Sequence, residues 1–361
     1  MTSMEKIVHG QAMSLGSVMI DLEATRLTET DRSRLLHPLV AGVILFARHF
    51  ETVEQLQALT HEIHELRHPK LLIAVDHEGG RVQRFKEGFS RLPPMRPIGQ
   101  LYDADPVRAK TIATDVGWLM ATELLSVGVD FSFAPVADLD FGGSKVIGDR
   151  SFHANPQVVA DLAWHLMNGM HQAGMGAVAK HFPGHGYIEA DTHFEIAVDE
   201  RSFDAIAQQD LQPFLRLIEN QVEAVMPAHV IYPKVDSLPA GFSKHWLQDV
   251  LRKQCHFEGA IISDDLSMKA AQAFGTPAQR VRQALEAGCD LVLMCNNLLA
   301  TDTVLSEVDW QADALSHARL IRLHGKPQVS YHSLHNDPLW QAKSYAVNHF
   351  MNEYNQRELS V

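Results

Sequence analysis

Cysteine is scarce in this chain. The three present, Cys255, Cys289 and Cys295, form an odd set without CxxC spacing. That argues against a disulfide framework and suits thiols packed as small apolar groups in a reducing cytoplasm. Long apolar runs are missing too, since none approaches the ~18 residues that a bilayer span requires. Met1–Asp21 has one lysine offset by Glu5 and no clean apolar core, so it reads poorly as a signal peptide. Positive charge is in the minority. Lys and Arg number 31 against 44 Asp and Glu, a net −13 with histidine neutral. Such a balance argues against non-specific binding to nucleic acid or to an anionic membrane. No short-period repeat, low-complexity segment or convincing interdomain linker interrupts the 361 residues. With 46% apolar and 21% charged residues the chain can bury a large core, which excludes wholesale disorder. The expectation is a soluble cytoplasmic globular protein, with a monomer favoured. Histidine, by contrast, is abundant at 21 residues, which raises the question of whether any imidazole does chemistry.

Short runs, most of them apolar on both faces, recur at Val18–Ile20, Gly42–Phe46, Leu71–Val75, Phe131–Val136, Ala177–Ala179, Ala224–Met226, Ala260–Ile262 and Leu291–Met294. Strands buried on both sides of a parallel sheet read this way. Amphipathic stretches separate them at Thr52–Glu65, Pro106–Val127, Pro156–Gly174, Ser202–Glu219, Lys244–Lys253 and Pro277–Ala287. Pro106 near a start, and Gly174 and Gly288 just past ends, punctuate these helices. Alternation repeated about eight times predicts an α/β protein built as a (β/α)8 barrel. A doubly wound open sheet is the alternative. Residues 1–310 are assigned to the barrel and 311–361 to a helical C-terminal tail packed across its outside.

In a barrel, chemistry sits where strands end and βα loops begin. Leu71–Val75 runs into Asp76-His77-Glu78-Gly79-Gly80-Arg81-Val82-Gln83-Arg84, and Ala177–Ala179 into Lys180-His181-Phe182-Pro183-Gly184-His185-Gly186. Ala224–Met226 leads to Pro227-Ala228-His229, and Ala260–Ile262 to Ser263-Asp264-Asp265. Charges are costly to bury unless paired or functional, so these strand ends together predict one shared polar pocket rather than four separate rim salt bridges.

Segment Lys180–His193 holds Lys180, His181, His185, Asp191 and His193 around Pro183, Gly184 and Gly186. Imidazoles with a carboxylate are zinc-type ligands. Against a metal, Lys180 beside His181 would repel a cation, and the spacing is neither HExxH nor a paired CxxC site. The other reading is acid–base catalysis. Asp191 and His193, two apart in an extended loop, can share one side of the backbone. A carboxylate on one imidazole nitrogen then fixes the tautomer and leaves the other nitrogen facing a leaving-group oxygen. Asp264 and Asp265 offer a carboxylate nucleophile. Alternation points only one of them into the pocket without saying which, and the other can cap the helix expected around Leu266–Ala273. His61, His64 and His68, along a predicted helix and its exit, are expected in solvent.

Taken together, Gly42–Phe46, Asp76–Phe85, Phe133–Asp138, Asp149–Phe152, Lys180–Gly186 with Asp191-Thr192-His193, and Ser263–Met268 resemble glycoside hydrolase family 3. The likeness is to its single-domain bacterial β-N-acetylglucosaminidases of peptidoglycan recycling. The segments keep the family's order and span roughly Met13 to Asn297. Lys-His-Phe-Pro-Gly-His-Gly followed by Asp-x-His is the specific signature, whereas the Gly-Val-Ile-Leu-Phe strand alone is weak. The resemblance implies a barrel glycosidase that retains anomeric configuration in two steps and needs neither metal nor organic cofactor. Asp264 would be the nucleophile, and His193 assisted by Asp191 the acid and base. Asp76, Arg84, Arg150, Lys180 and His181 would hold the GlcNAc ring of a small muropeptide substrate, by charge-assisted bonds to its hydroxyls. Glu78 reads as structural beside the Gly79–Gly80 turn, with Asp265 and Glu78 as alternates for the assigned carboxylates. The roles of His185 and His229 stay open. His77 stands where relatives often carry Gln, and Thr192 where they often carry Ser. Two other readings compete: a metal-dependent barrel hydrolase using His181, His185, Asp191 and His193, and a non-catalytic sugar-binding barrel.

Overall fold

The computed structural model describes residues 11–188 and 197–358. Eight parallel strands carry the architecture. They are β1 (Val18–Ile20), β2 (Val40–Leu45), β3 (Leu72–Val75), β4 (Phe131–Ser132), β5 (Val178–Phe182), β6 (Ala224–Pro227), β7 (Ala260–Asp265) and β8 (Leu291–Met294). The sheet runs β4-β3-β2-β1-β8-β7-β6-β5, every neighbouring pair parallel. A parallel bridge between Val136 and Lys180 joins its two outer strands into a barrel. That closure decides against the open doubly wound sheet. Every residue of β1, β2, β3, β5, β6 and β8 is buried, as a sheet covered by side chains inside and helices outside requires.

One predicted strand is cut short. Phe131–Val136 forms ladder only over its first two residues, and Pro135 beyond them has no N–H to donate. The join to β5 is made instead by Val178 N–H donating to the Ala134 carbonyl (2.7 Å), Lys180 N–H to Pro135 (3.1 Å) and Ala137 N–H to Lys180 (2.7 Å).

Local chemistry fixes the helix starts. The side chains of Thr52, Asp105 and Asn155 accept backbone N–H groups at the heads of Val53–Glu65, Pro106–Ser126 and Pro156–Ala173. The predicted helix Ser202–Glu219 breaks into Phe203–Gln208 and Leu211–Glu219. At the break, buried Asp210 turns inward to the Arg201 guanidinium.

The tail forms helices Ala314–Ile321, Tyr331–Leu334 and Pro338–Glu358. Trp340 Nε1 donates to Glu123 at 2.9 Å, Lys343 pairs with Asp115, and Arg108 pairs with Glu353 at 2.5 Å, fastening the last helix to Pro106–Ser126. Below the barrel, Asp130 accepts the N–H groups of Ile73 (2.8 Å) and Gly325 (3.0 Å). His64 corrects the expectation of a solvated ring: its Nε2 reaches the same carboxylate at 3.2 Å, while His61 and His68 are exposed. Among the described residues no helix is long and apolar enough to cross a membrane.

Candidate active site

The polar strand ends converge as the sequence predicts. At the C-terminal mouth of the barrel lies a cleft of about 390 Å³, lined by residues that include Asp76, Glu78, Arg84, Arg150, Lys180, His181 and Asp264. Asp76 follows β3 directly. Glu78 sits in a small hairpin, His77–Gly79 against Val82–Gln83, which also delivers Arg84. Lys180 and His181 lie in β5, and Asp264 lies in β7.

Lys180 is the hub. Its Nζ donates to Asp76 Oδ1 at 2.9 Å and lies 2.6 Å from Glu78 Oε1. Arg150 grips Glu78 with two parallel bonds of 2.8 Å, the bidentate geometry that only a guanidinium provides. Arg84 approaches Asp76 at 3.5 Å. Burial alone would raise the Glu78 carboxyl, but Arg150 and Lys180 outweigh it and hold Glu78 well below the usual range. Burial likewise disfavours charge on Lys180, and the Asp76 and Glu78 carboxylates reverse that, so the ammonium stays charged.

His181 is oriented by a residue that sequence reasoning quoted and left without a role. Asp138, fully buried, accepts from His181 Nδ1 at 2.7 Å and from the backbone N–H of His185 at 2.8 Å. The carboxylate is held below its ordinary range by the two imidazoles despite burial. Nδ1 is therefore the donor, and Nε2 is left for other partners. His185 lines the cleft beside His181, ring centroids 5.9 Å apart. The clue to Asp138 was an acid at the end of Phe-Ala-Pro-Val-Ala-Asp. Its partner is 43 residues away, beyond any local pattern.

The adjacent aspartates have different surroundings. Asp265 accepts the N–H (2.8 Å) and the hydroxyl (2.6 Å) of Ser267 and the Asn296 amide (3.3 Å), so its carboxylate organises the turn before helix Lys269–Gln272. Burial raises its pKa. Among the described residues the Asp264 carboxylate accepts one bond, from Asp265 N–H at 2.8 Å. Burial pushes its carboxyl up, but His229, His181 and Lys180 nearby pull it below the ordinary value. Thus Asp264 is an ionised carboxylate with spare acceptor capacity on the cleft wall, which is what attack on an electrophilic carbon needs. His229 lies behind it, Nε2 donating to the Asp265 carbonyl at 3.0 Å.

Asp191 and His193 lie outside the described residues. Among those described, no group of three His, Cys, Asp or Glu side chains is arranged to hold a metal ion.

A (β/α)8 barrel with buried, ion-paired acids and cations at its C-terminal mouth is the framework of a polar-substrate hydrolase. Residues 8–320 match the glycosyl hydrolase family 3 N terminal domain. The chain belongs to that family and is a glycosidase. A beta-hexosaminidase of Hydrogenovibrio crunogenus is 64% identical to it over 358 residues, covering 99% of this chain and 100% of that one. One from Methylobacillus flagellatus is 55% identical over 327 residues, covering 90% and 94%. The crystal structure of native NagZ from Neisseria gonorrhoeae superposes with a TM-score of 0.89 at 44% identity, covering 94% of this chain and 99% of that one. A structure of NagZ from the same organism in complex with N-trifluoroacetyl-D-glucosamine has the same TM-score at 45% identity and the same coverage.

Proposed function

We propose that this glycosidase is a retaining exo-β-N-acetylglucosaminidase that removes terminal GlcNAc from GlcNAc-1,6-anhydro-MurNAc peptides in the cytoplasm. The observation that carries the reading is Asp264: a carboxylate held below its ordinary pKa, accepting one bond among the described residues, and facing a cleft in which Glu78, Asp76, Lys180 and Arg150 pair with one another. The beta-hexosaminidase relatives and the bound amino-sugar analogue of the Neisseria protein support the sugar class.

In the first step an Asp264 oxygen attacks the anomeric carbon as the glycosidic C–O bond breaks, giving a covalent glycosyl-enzyme. His193, oriented by Asp191, donates its proton to the departing oxygen. In the second step the same imidazole takes a proton from water, which attacks the anomeric carbon and releases Asp264. Many retaining enzymes use a second carboxylate for the proton work. Here the Asp–His pair takes that place. Asp76, Arg84, Arg150, Lys180 and His181 hold the ring hydroxyls, with Glu78 and Asp138 fixing where Lys180, Arg150 and His181 point.

Trapping the enzyme with a 5-fluoro N-acetylglucosaminide and mapping the labelled peptide by mass spectrometry tests the nucleophile. The adduct is expected on Asp264, and an adduct on Asp265 or Glu78 would overturn it. Release of GlcNAc from a purified GlcNAc-anhydroMurNAc peptide, compared with chitobiose, tests the substrate. Loss of activity on exhaustive chelation, restored by zinc, would favour the metal-dependent alternative.

A further inference from the structure

When the cations lining the cleft are matched to carboxylates, one is left over. Lys180 and Arg150 share Glu78, Lys180 and Arg84 meet Asp76, and Arg81 approaches Asp149 at 3.3 Å. Lys145 lines the same cleft, is exposed, and has no carboxylate within ion-pair distance among the described residues.

The loop holds that lysine outward. Ser144 before it and Ile147 beyond it are buried. Gly148 N–H donates to the Ser144 carbonyl at 2.9 Å and Ile147 N–H to the Ser144 hydroxyl at 3.3 Å, closing a tight turn. Arg81, from the hairpin that carries Glu78, donates through Nη2 to the carbonyls of Lys145 (3.1 Å) and Val146. Arg150 Nη1 reaches the Val146 carbonyl at 3.2 Å. Two guanidiniums thus tie down the backbone at Lys145 and add positive charge around it, while its own ammonium stays in solvent.

Depth sorts these charges. Lys180 and Glu78 are 3% and 4% exposed at the bottom of the cleft, whereas Arg81 is 50% exposed at its rim. A terminal amino sugar held by the deep charges sends its leaving group toward the open end, where Lys145 stands. An ammonium on a flexible stem is a point charge that can follow a mobile partner. No carboxylate of the protein among the described residues has to be displaced from it first.

We propose that Lys145 is a specificity-determining residue that favours substrates whose leaving group bears a carboxylate. The inference rests on the exo-glycosidase reading proposed for Asp264. That carboxylate can sit on the lactyl ether of the second sugar or on its peptide stem. The test therefore uses two matched pairs with the same leaving oxygen: GlcNAc-1,6-anhydroMurNAc and its lactyl methylamide, and the L-alanyl-D-glutamate form and its diamide. The readout is the ratio of kcat/KM for acid over amide within each pair, for the parent, Lys145→Met and Lys145→Glu. The parent is expected to favour the acid about two- to fivefold in at least one pair, the size of a single exposed ion pair, and less so as NaCl screens it. Lys145→Met should bring that ratio to about one and Lys145→Glu should invert it. The pair that responds tells which carboxylate is met. A parent ratio near one in both pairs, or a preference that survives in Lys145→Met, overturns the proposal and leaves the muropeptide reading standing. Release of GlcNAc from none of the substrates, with 4-nitrophenyl N-acetylglucosaminide still hydrolysed, means that the muropeptide reading has failed and this proposal with it.

Discussion

Lys180 Nζ meets Glu78 Oε1 at 2.6 Å with the two side chains only 3% and 4% exposed, and Arg150 closes on the same carboxylate from the other side. The charges at this end of the barrel are therefore aligned by each other.

Glu78→Gln removes the anion that both cations share. Breaking a buried pair from one side costs roughly 3–5 kcal/mol because the remaining charge is stranded. Urea unfolding should show a loss of that order at pH 7. Calorimetric affinity for GlcNAc should also fall as Lys180 and Arg150 lose their aim. A variant with unaltered stability and affinity would contradict the arrangement.

The two neighbouring aspartates should fail differently. Asp264→Asn is expected to lose about 10³-fold or more in kcat, since the proposed nucleophile loses its negative charge. Asp265→Asn should keep activity within about tenfold but lose ~1–2 kcal/mol of stability, because the Ser267 hydroxyl and amide lose their charged acceptor. Steady-state rates beside thermal melts check both, and the reverse pattern would exchange their roles.

Asp130 gives stability an acid limb. Burial alone would raise its carboxyl, but the imidazoles of His324 and His64 hold it at about 2, against an ordinary 3.8. A folded pKa below the unfolded one contributes above pH 3.8 and is lost as pH falls through 2. The difference is worth ~2 kcal/mol at neutral pH. Asp130→Asn should be less stable by that much at pH 7, with the gap to the parent narrowing below pH 4. Urea midpoints from pH 7 to 3 measure it, and a constant gap would show that the carboxylate's charge is not the cause.

The thiols should be inert in the folded protein. Burial pushes Cys255 to about 11 and raises Cys289 and Cys295 as well, although Cys295 lines the cleft. Iodoacetamide at pH 7.5 is expected to leave all three unmodified and activity intact until denaturant is added. Rapid labelling of Cys295 with loss of turnover would show that the cleft wall opens.

Much of the barrel is legible because a double-faced apolar run looks the same wherever its partners lie. The strand ends are legible because charge next to such a run has few places to go. What escaped depends on distant pairing. Nothing near Asp138 announces His181, and nothing in Val53–Glu65 says that His64 will meet Asp130. Alternation left Asp264 and Asp265 equivalent, and only the bonds from Ser267 and Asn296 tell them apart. Glu78 reads locally as a turn neighbour, yet it anchors two cations brought from elsewhere in the chain. Even β4 misleads, because its apolar run continues past Ser132, where the ladder ends.

The join between β4 and β5 has a mechanical consequence. Between β4 and β5 the cylinder is closed by three backbone bonds, from around Ala134–Ala137 to Val178 and Lys180. Lys180 gives that seam its backbone and the cleft its ammonium. Thermal breathing that parts the seam carries Lys180 away from Asp76 and Glu78 at the same moment. A parted seam would therefore also undo the Lys180 ion pairs that organise the cleft.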